Sequence, residues 1–200
     1  MKLFTFVFIV LAFPVYAEVF TFRADRMSGG RATGREVTVL TGNAEVRADN
    51  FLLQADRIEI HGPNNRFIEG IGNVRGMEVE KNIHFRTDRL RYDRTLRIAR
   101  LEGNSTLEDR NYGMTARGRF IEYDDKQEIA IFQISVRMFK DDLICRAEFA
   151  VYRRRDQTLV LQGFPVVYRG NDVFRAERIR VDLETNDVVM EGAVEGEIRN

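Results

Sequence analysis

The sequence predicts an elongated all-β domain of consecutive antiparallel strands, built from about six repeats of roughly 30 residues. Three observations point there. A short phrase returns along the chain: Arg23-Ala24-Asp25-Arg26-Met27, Gln54-Ala55-Asp56-Arg57-Ile58 and Arg86-Thr87-Asp88-Arg89-Leu90, then blurred copies at Arg117-Gly118, Arg146-Ala147-Glu148 and Arg175-Ala176-Glu177-Arg178-Ile179. The copies recur at intervals of 29 to 32 residues, which matches no helical repeat signature and implies stacked units that bury a continuous core only together. Around each copy apolar and polar residues alternate with the period of a strand. Short polar turns lie at both ends of the units, as hairpins require; a parallel β-helix stays open as the alternative.

Residues 1–17 read as a secretory signal peptide. Lys2 supplies the charge, Leu3 to Phe13 the apolar run, and Val15-Tyr16-Ala17 the small-residue cleavage site before Glu18. The run is too short for a membrane span, and no cysteine follows the cleavage site to carry a lipid anchor. Cleavage after Ala17 is expected to leave one exported, soluble domain, residues 18–200.

Within a unit, the first segment has apolar residues at 22, 53, 85, 116, 145 and 174 and small ones two positions on. The column between them is Arg23, Gln54, Arg86, Arg117, Arg146 and Arg175. Past the small residue the parity changes, and the next apolar pairs fall three and five residues on, as Ile58 and Ile60, Leu90 and Tyr92, or Ile121 and Tyr123. One extra residue at the Asp-Arg step, a β-bulge or corner, keeps both apolar sets on one interior while the strand bends from one wall to another. The second segment is centred on Gly42, Gly72, Gly103, Gly163 and Gly192, with Gln133 expected in place of the missing glycine. Its inward columns are expected two residues before and after that centre, Ile131 and Ser135 among them. Pro165 cannot donate to a ladder, so the fifth unit should be locally irregular. Turns follow from His61-Gly62-Pro63-Asn64-Asn65, Asp109-Arg110-Asn111, Asp124-Asp125-Lys126 and Lys140-Asp141-Asp142.

Composition excludes several functions. Without residues 1–17 the chain carries 30 basic and 31 acidic residues, a balance that disfavours nucleic acid as a partner. Only Lys2, Lys81, Lys126 and Lys140 are lysines; the arginines predict cross-strand ion pairs, with phosphate capture as the alternative. Cys145 is the single cysteine and falls in an apolar column, as a buried thiol would. His61 and His84 sit in no metal-ligand spacing. The recurring acids are spread along the stack rather than converging on a nucleophile and base, so no catalytic residue, cofactor or metal is assigned and the chain is not read as an enzyme.

From Val39-Leu40-Thr41-Gly42-Asn43-Ala44-Glu45-Val46 to Leu53-Gln54-Ala55-Asp56-Arg57-Ile58 the chain resembles the OstA-like family, and within it the small, periplasmic LptA-type members that transport lipopolysaccharide. The glycine strand, polar turn and strand ending in alanine-aspartate-x-isoleucine recur through Gly72, Asn73, Val74, Asp88, Leu90 and Tyr92, and more weakly through Gly163, Ala176, Glu177 and Ile179. The resemblance covers nearly all of residues 19–198; Arg119, Glu148 and Gln133 depart from it. It implies an incompletely closed antiparallel β-jellyroll, a β-taco with an apolar furrow. It also implies a periplasmic bridge that carries lipopolysaccharide or a related glycolipid from inner to outer membrane. Implied partners are that lipid, homologous jellyroll domains of inner- and outer-membrane transport components, and further copies of the chain stacked head to tail.

The residues expected to line the furrow are Leu53, Phe85, Leu90, Leu101, Cys145, Leu161, Phe174 and Ile179, with Arg86, Arg146 and Arg175 pointing out. Phe20 and Phe22 in the first strand, and Val189 and Val194 near the last, are expected at free edges able to dock another sheet. The same apolar columns fit a simply packed core, so an exported structural β-solenoid without lipid cargo is the second reading.

Overall fold

In a computed structural model, described here for residues 20–32, 35–48 and 50–199, nearly every segment is extended. The signal-peptide reading of residues 1–17 lies outside the described residues. In chain order the strands are β1 (Phe20–Arg23), β2 (Arg26–Ala32), β3 (Arg35–Ala48), β4 (Phe51–His61), β5 (Phe67–Glu78), β6 (Ile83–Asp93), β7 (Ile98–Asp109) and β8 (Met114–Asp124). They continue as β9 (Ile129–Lys140), β10 (Leu143–Arg153), β11 (Thr158–Gln162), β12 (Val166–Arg169), β13 (Asp172–Arg175), β14 (Arg178–Asp182), β15 (Val188–Glu191) and β16 (Glu195–Glu197). All sixteen belong to one sheet that does not close on itself. Among the described residues there is no α-helix, only a 3-10 turn at Pro63–Asn65, and no helix long and apolar enough to cross a membrane.

The sheet is an antiparallel meander, which removes the parallel β-helix: β3 through β10 each pair with the strand before and the strand after. Each of these long strands bends once and contributes half its length to each of two walls. The remaining strands come in pairs that are halves of one broken strand. β2 and β1 pair with the two halves of β3, and β11 and β12 with the two halves of β10. β14 and β13 continue the two walls, and β15 and β16 end them. Pro165 sits in the break between β11 and β12, as its missing donor requires.

The bend comes from the repeated phrase. Pairing register shifts between Gln54 and Arg57, Arg86 and Arg89, and Arg117 and Phe120, the step where the sequence changes parity. Opposite each shift the partner strand turns its corner on left-handed residues, Gly42-Asn43 in β3 and Gly72-Asn73 in β5. The aspartate of the phrase holds that corner. Asp25 N donates to Gly42 O at 2.9 Å, Asn73 Nδ2 donates to Asp56 Oδ2 at 2.9 Å, and the Asn104 amide donates to Asp88 Oδ2 at 2.9 Å.

In β9 the expectation for Gln133 is wrong. The left-handed pair is Ile134 (φ 64°) and Ser135 (φ 56°), one residue later, and Gln133 pairs in register with Phe120 and Phe149. The inward residues are therefore Phe132 and Val136, both buried, while Ser135 is exposed and Ile131 only half-buried. No glycine marks this corner, and a β-branched residue holds a conformation that costs it more than glycine.

Both inner faces are apolar. Leu40, Leu53, Ile58, Leu90, Ala116, Phe132, Leu159 and Ile179 have no exposed surface, each fully buried large side chain contributing ~1.5–3 kcal/mol. One continuous core runs between the walls from Leu40 to Leu183.

Candidate functional site

The walls join at the crease, and their hairpin tips face each other along a seam opposite it. The eight residues expected to line the furrow all belong to this core. Leu53, Phe85, Cys145 and Phe174 project from one wall, and Leu90, Leu101, Leu161 and Ile179 from the other. Arg86 and Arg146 are exposed on the outer face, while Arg175 is half-buried and lies 3.7 Å from Glu197. Burial pushes the Cys145 thiol up to about 12, which keeps it protonated and unreactive.

Over most of the furrow's length the inward side chains are fully buried, but toward the N-terminal end a gap remains between them. A cavity of about 150 Å³ opens there between Phe51, Phe85, Tyr92, Ala99, Leu101 and Leu107. Phe51 stacks on Phe85 at 5.5 Å and on Tyr92 at 4.5 Å between ring centres. Its rim is polar: Glu78, Arg94, Arg97, Tyr123 and Asp125.

Charged side chains at the tips fasten one wall to the other. Lys81 Nζ, in the β5–β6 turn, donates to Asp125 Oδ1 at 2.5 Å and to the Asp125 carbonyl at 2.7 Å. Arg97 also pairs with Asp125. Farther along, Arg154 binds Asp109 at 2.8 Å, Glu128 at 2.9 Å and the Lys81 carbonyl at 3.2 Å. Tyr152 OH donates to the same Asp109 oxygen at 3.2 Å, and Arg169 reaches the Asn186 carbonyl at 3.2 Å. The cavity thus lies on the N-terminal side of the first fastener.

Two rim groups are buried without a hydrogen bond among the described residues, Glu78 Oε1 and Tyr123 OH. Desolvation holds the Glu78 carboxyl above its ordinary range, against the backbone bond from Lys81. Burial, then the nearby Asp125 charge, raises the Tyr123 hydroxyl, so it remains a neutral donor.

The sequence reading treats these tips as turns and misses the fasteners. A signal for them exists: Glu78, Asp109, Asp125 and Arg154 each continue the inward parity of their strand, two residues beyond Gly76, Leu107, Tyr123 and Tyr152. A charge on an inward position needs a partner. Nothing local says which, since Lys81 and Asp125 are 44 residues apart.

The expected edges lie at the two ends of the sheet. β1 and β15 end the strand order, each paired on one side only among the described residues. Phe20 packs against the core, whereas Phe22 and Val189 are each 45% exposed and Val194, in the gap between β15 and β16, is 54% exposed.

The family model described as OstA-like protein matches residues 17–162, ending where β11 ends. Among solved structures, the chain is similar to LptH, the LptA-homologous periplasmic component of the lipopolysaccharide transport device of Pseudomonas aeruginosa. The identity is 13%, the match covers 92% of this chain and 96% of that one, and the TM-score is 0.27. No curated protein matches.

Proposed function

We propose a carrier role from one premise: this chain belongs to the OstA-like family. In this reading it is a periplasmic bridge protein that holds acyl chains of lipopolysaccharide, or a related glycolipid, between its two walls and passes them from the inner toward the outer membrane. The observation that carries it is the apolar cavity at the N-terminal end with its polar rim. Acyl chains cannot cross water unaided, because each exposed methylene costs ~0.8 kcal/mol. Phe51, Phe85 and Leu101 offer the apolar lining, and Glu78, Tyr123 and Arg97 the polar groups a lipid head would meet. A cavity of about 150 Å³ takes a guest of benzene size, so a whole acyl chain needs the walls to part at the Lys81–Asp125 fastener. Export with cleavage after Ala17 belongs to the same proposal, as do binding of homologous jellyroll domains and further copies at the free edges.

The structural-solenoid reading has one observation in its favour: beyond Asp125 the inward side chains are buried and the walls are fastened through Arg154. Native mass spectrometry of the protein purified from its own periplasm separates the two. A co-purifying glycolipid is expected; a lipid-free chain in every preparation removes the carrier reading.

A further inference from the structure

The outer face of the wall that carries β1, β12 and β13 holds a row of arginines set directly opposite one another. Arg75 in β5 pairs in register with Arg86 in β6, and after Thr106 in β7 the row resumes as Arg117, Arg137 and Arg146 in β8, β9 and β10. All five are exposed. Like charges directly opposite in an antiparallel pair repel and destabilise. On the other wall Arg91 also faces Arg100, but there each has an acid beside it: Arg91 lies 3.5 Å from Glu69 and Arg100 2.6 Å from Glu122. Acids are as numerous as bases in the chain, yet the five arginines make no hydrogen bond or ion pair among the described residues. From β5 to β10 the row spans ~24 Å at ~4.8 Å per strand.

The neighbouring row on the same face, one pleat nearer the seam, is apolar in two stretches, with His84, Glu108 and Thr115 between them. Leu52 faces Met77, and Phe139, Ile144 and Tyr168 follow one another across β9, β10 and β12. Arg117 lies over the Phe139 ring at 5.8 Å and Arg146 over the Tyr168 ring at 5.3 Å. Guanidinium groups stacked above aromatic and aliphatic side chains on an open sheet face form an amphipathic surface, with stems and rings at one level and charges at the next.

We propose that this face docks on the surface of a bilayer bearing anionic headgroups, the arginines meeting phosphates and the Phe139–Ile144–Tyr168 row meeting the headgroup–acyl boundary. A soluble polyanion satisfies the arginines but leaves the apolar row without a role. The bilayer satisfies both, through bidentate arginine–phosphate contacts and shallow burial of the rings.

The test is flotation of the protein recovered from the periplasm with vesicles of phosphatidylcholine alone or containing one-third phosphatidylglycerol. Binding to the anionic vesicles only, lost at high salt, is expected. The triple substitution Arg86→Gln, Arg117→Gln, Arg137→Gln should weaken it about a hundredfold, while unfolding temperature holds or rises as the repulsion is relieved. Arg91→Gln with Arg100→Gln, on the other wall, should change nothing. Ile144→Ser should weaken binding without altering its salt dependence. Equal flotation with both vesicle types, an unaffected triple variant, or binding to soluble polyphosphate with none to vesicles overturns the proposal. Phosphatidylcholine offers the furrow the same acyl chains, so uptake between the walls and docking on the outer face are read separately.

Discussion

Arg154 Nε, just past the end of β10, donates to Asp109 Oδ2 at 2.8 Å, and that bond joins the tips of the two walls across the seam. Asp109 is fully buried. Its other oxygen makes no hydrogen bond among the described residues, so Arg154 and Tyr152 are its compensation. Arg154→Ala leaves a buried carboxylate with no cation and only the Tyr152 hydroxyl beside it, and should cost about 3–5 kcal/mol. Arg154→Met with Asp109→Leu should restore most of that stability, because an apolar pair needs no partner. Urea unfolding of the three proteins checks both outcomes; a single-variant loss below 1 kcal/mol would show that the tips are not fastened here.

The crease makes a different kind of prediction. Gly72 has φ +74°, and a Cβ built on it stands 2.5 Å from Asp56 Oδ2. Gly72→Ala therefore meets both a left-handed backbone and a clash, with an expected loss of about 2 kcal/mol. Asp56→Ala loses the bond to Asn73 and should cost about 1 kcal/mol. Since the second change also removes the clash, the double variant should lose less than the sum. Additive losses would mean that the aspartate does not hold the corner.

Two buried glutamates should give opposite pH profiles. Glu45 is held below its ordinary 4.5 by the bond from Gln54, against burial, and further by Arg47 and Arg23. Its contribution is present above pH 4.5 and lost as pH falls through the lower, folded value. Glu78 is raised by desolvation; its contribution is full below 4.5 and is lost as pH rises through the higher, folded value. Glu45→Gln should thus be less stable than the parent at pH 7, and Glu78→Gln more stable. Both differences should vanish in acid, as thermal unfolding between pH 3 and 7 can show.

Much of this architecture is written in local pattern. The parity change beside Asp56 and Asp88 identifies the bend, because a strand that switches parity must bulge to keep Leu53 and Ile58 on one side. Where the pattern lacks its glycine it misleads by one residue: nothing in Gln133-Ile134-Ser135 shows that Ile134 takes the left-handed turn, a choice imposed by pairing with β8 and β10. Inward parity flags Glu78, Asp109, Asp125 and Arg154 as charges needing partners. Which wall tip supplies each partner depends on how the meander folds over itself, and that is not encoded in neighbouring residues. The cavity is harder still to foresee, since it is the space left by Phe51, Phe85 and Tyr92 rather than a motif.

Assembly through the free edges is tested at β15. Val189 is 45% exposed on a strand paired only with β14 among the described residues. Val189→Pro removes a backbone donor at that edge. If another sheet adds there, the parent chain should associate with rising concentration in sedimentation and the variant should not, while the unfolding midpoint moves by less than a few degrees. An unchanged association would place the contact elsewhere.

The cavity predicts where along the furrow lipid is first met. Open space lies on the N-terminal side of the Lys81–Asp125 fastener, against Phe85, Tyr92 and Leu101, whereas Leu161 and Ile179 face each other in register with no exposed surface. A photocrosslinking side chain at 85 or 92 should label co-purifying glycolipid strongly, and one at 161 or 179 weakly. At Arg86, on the outer face, it should not label cargo between the walls. Lys81→Met leaves Arg97 beside Asp125 but removes the first link between the walls; it should raise labelling at 85 and 92, while labelling at 161, beyond the intact Arg154–Asp109 link, should stay weak. Strong labelling at 161 in the unmodified chain would mean that the walls part along their whole length without regard to the fastener, and equal labelling at 86 would remove the furrow altogether.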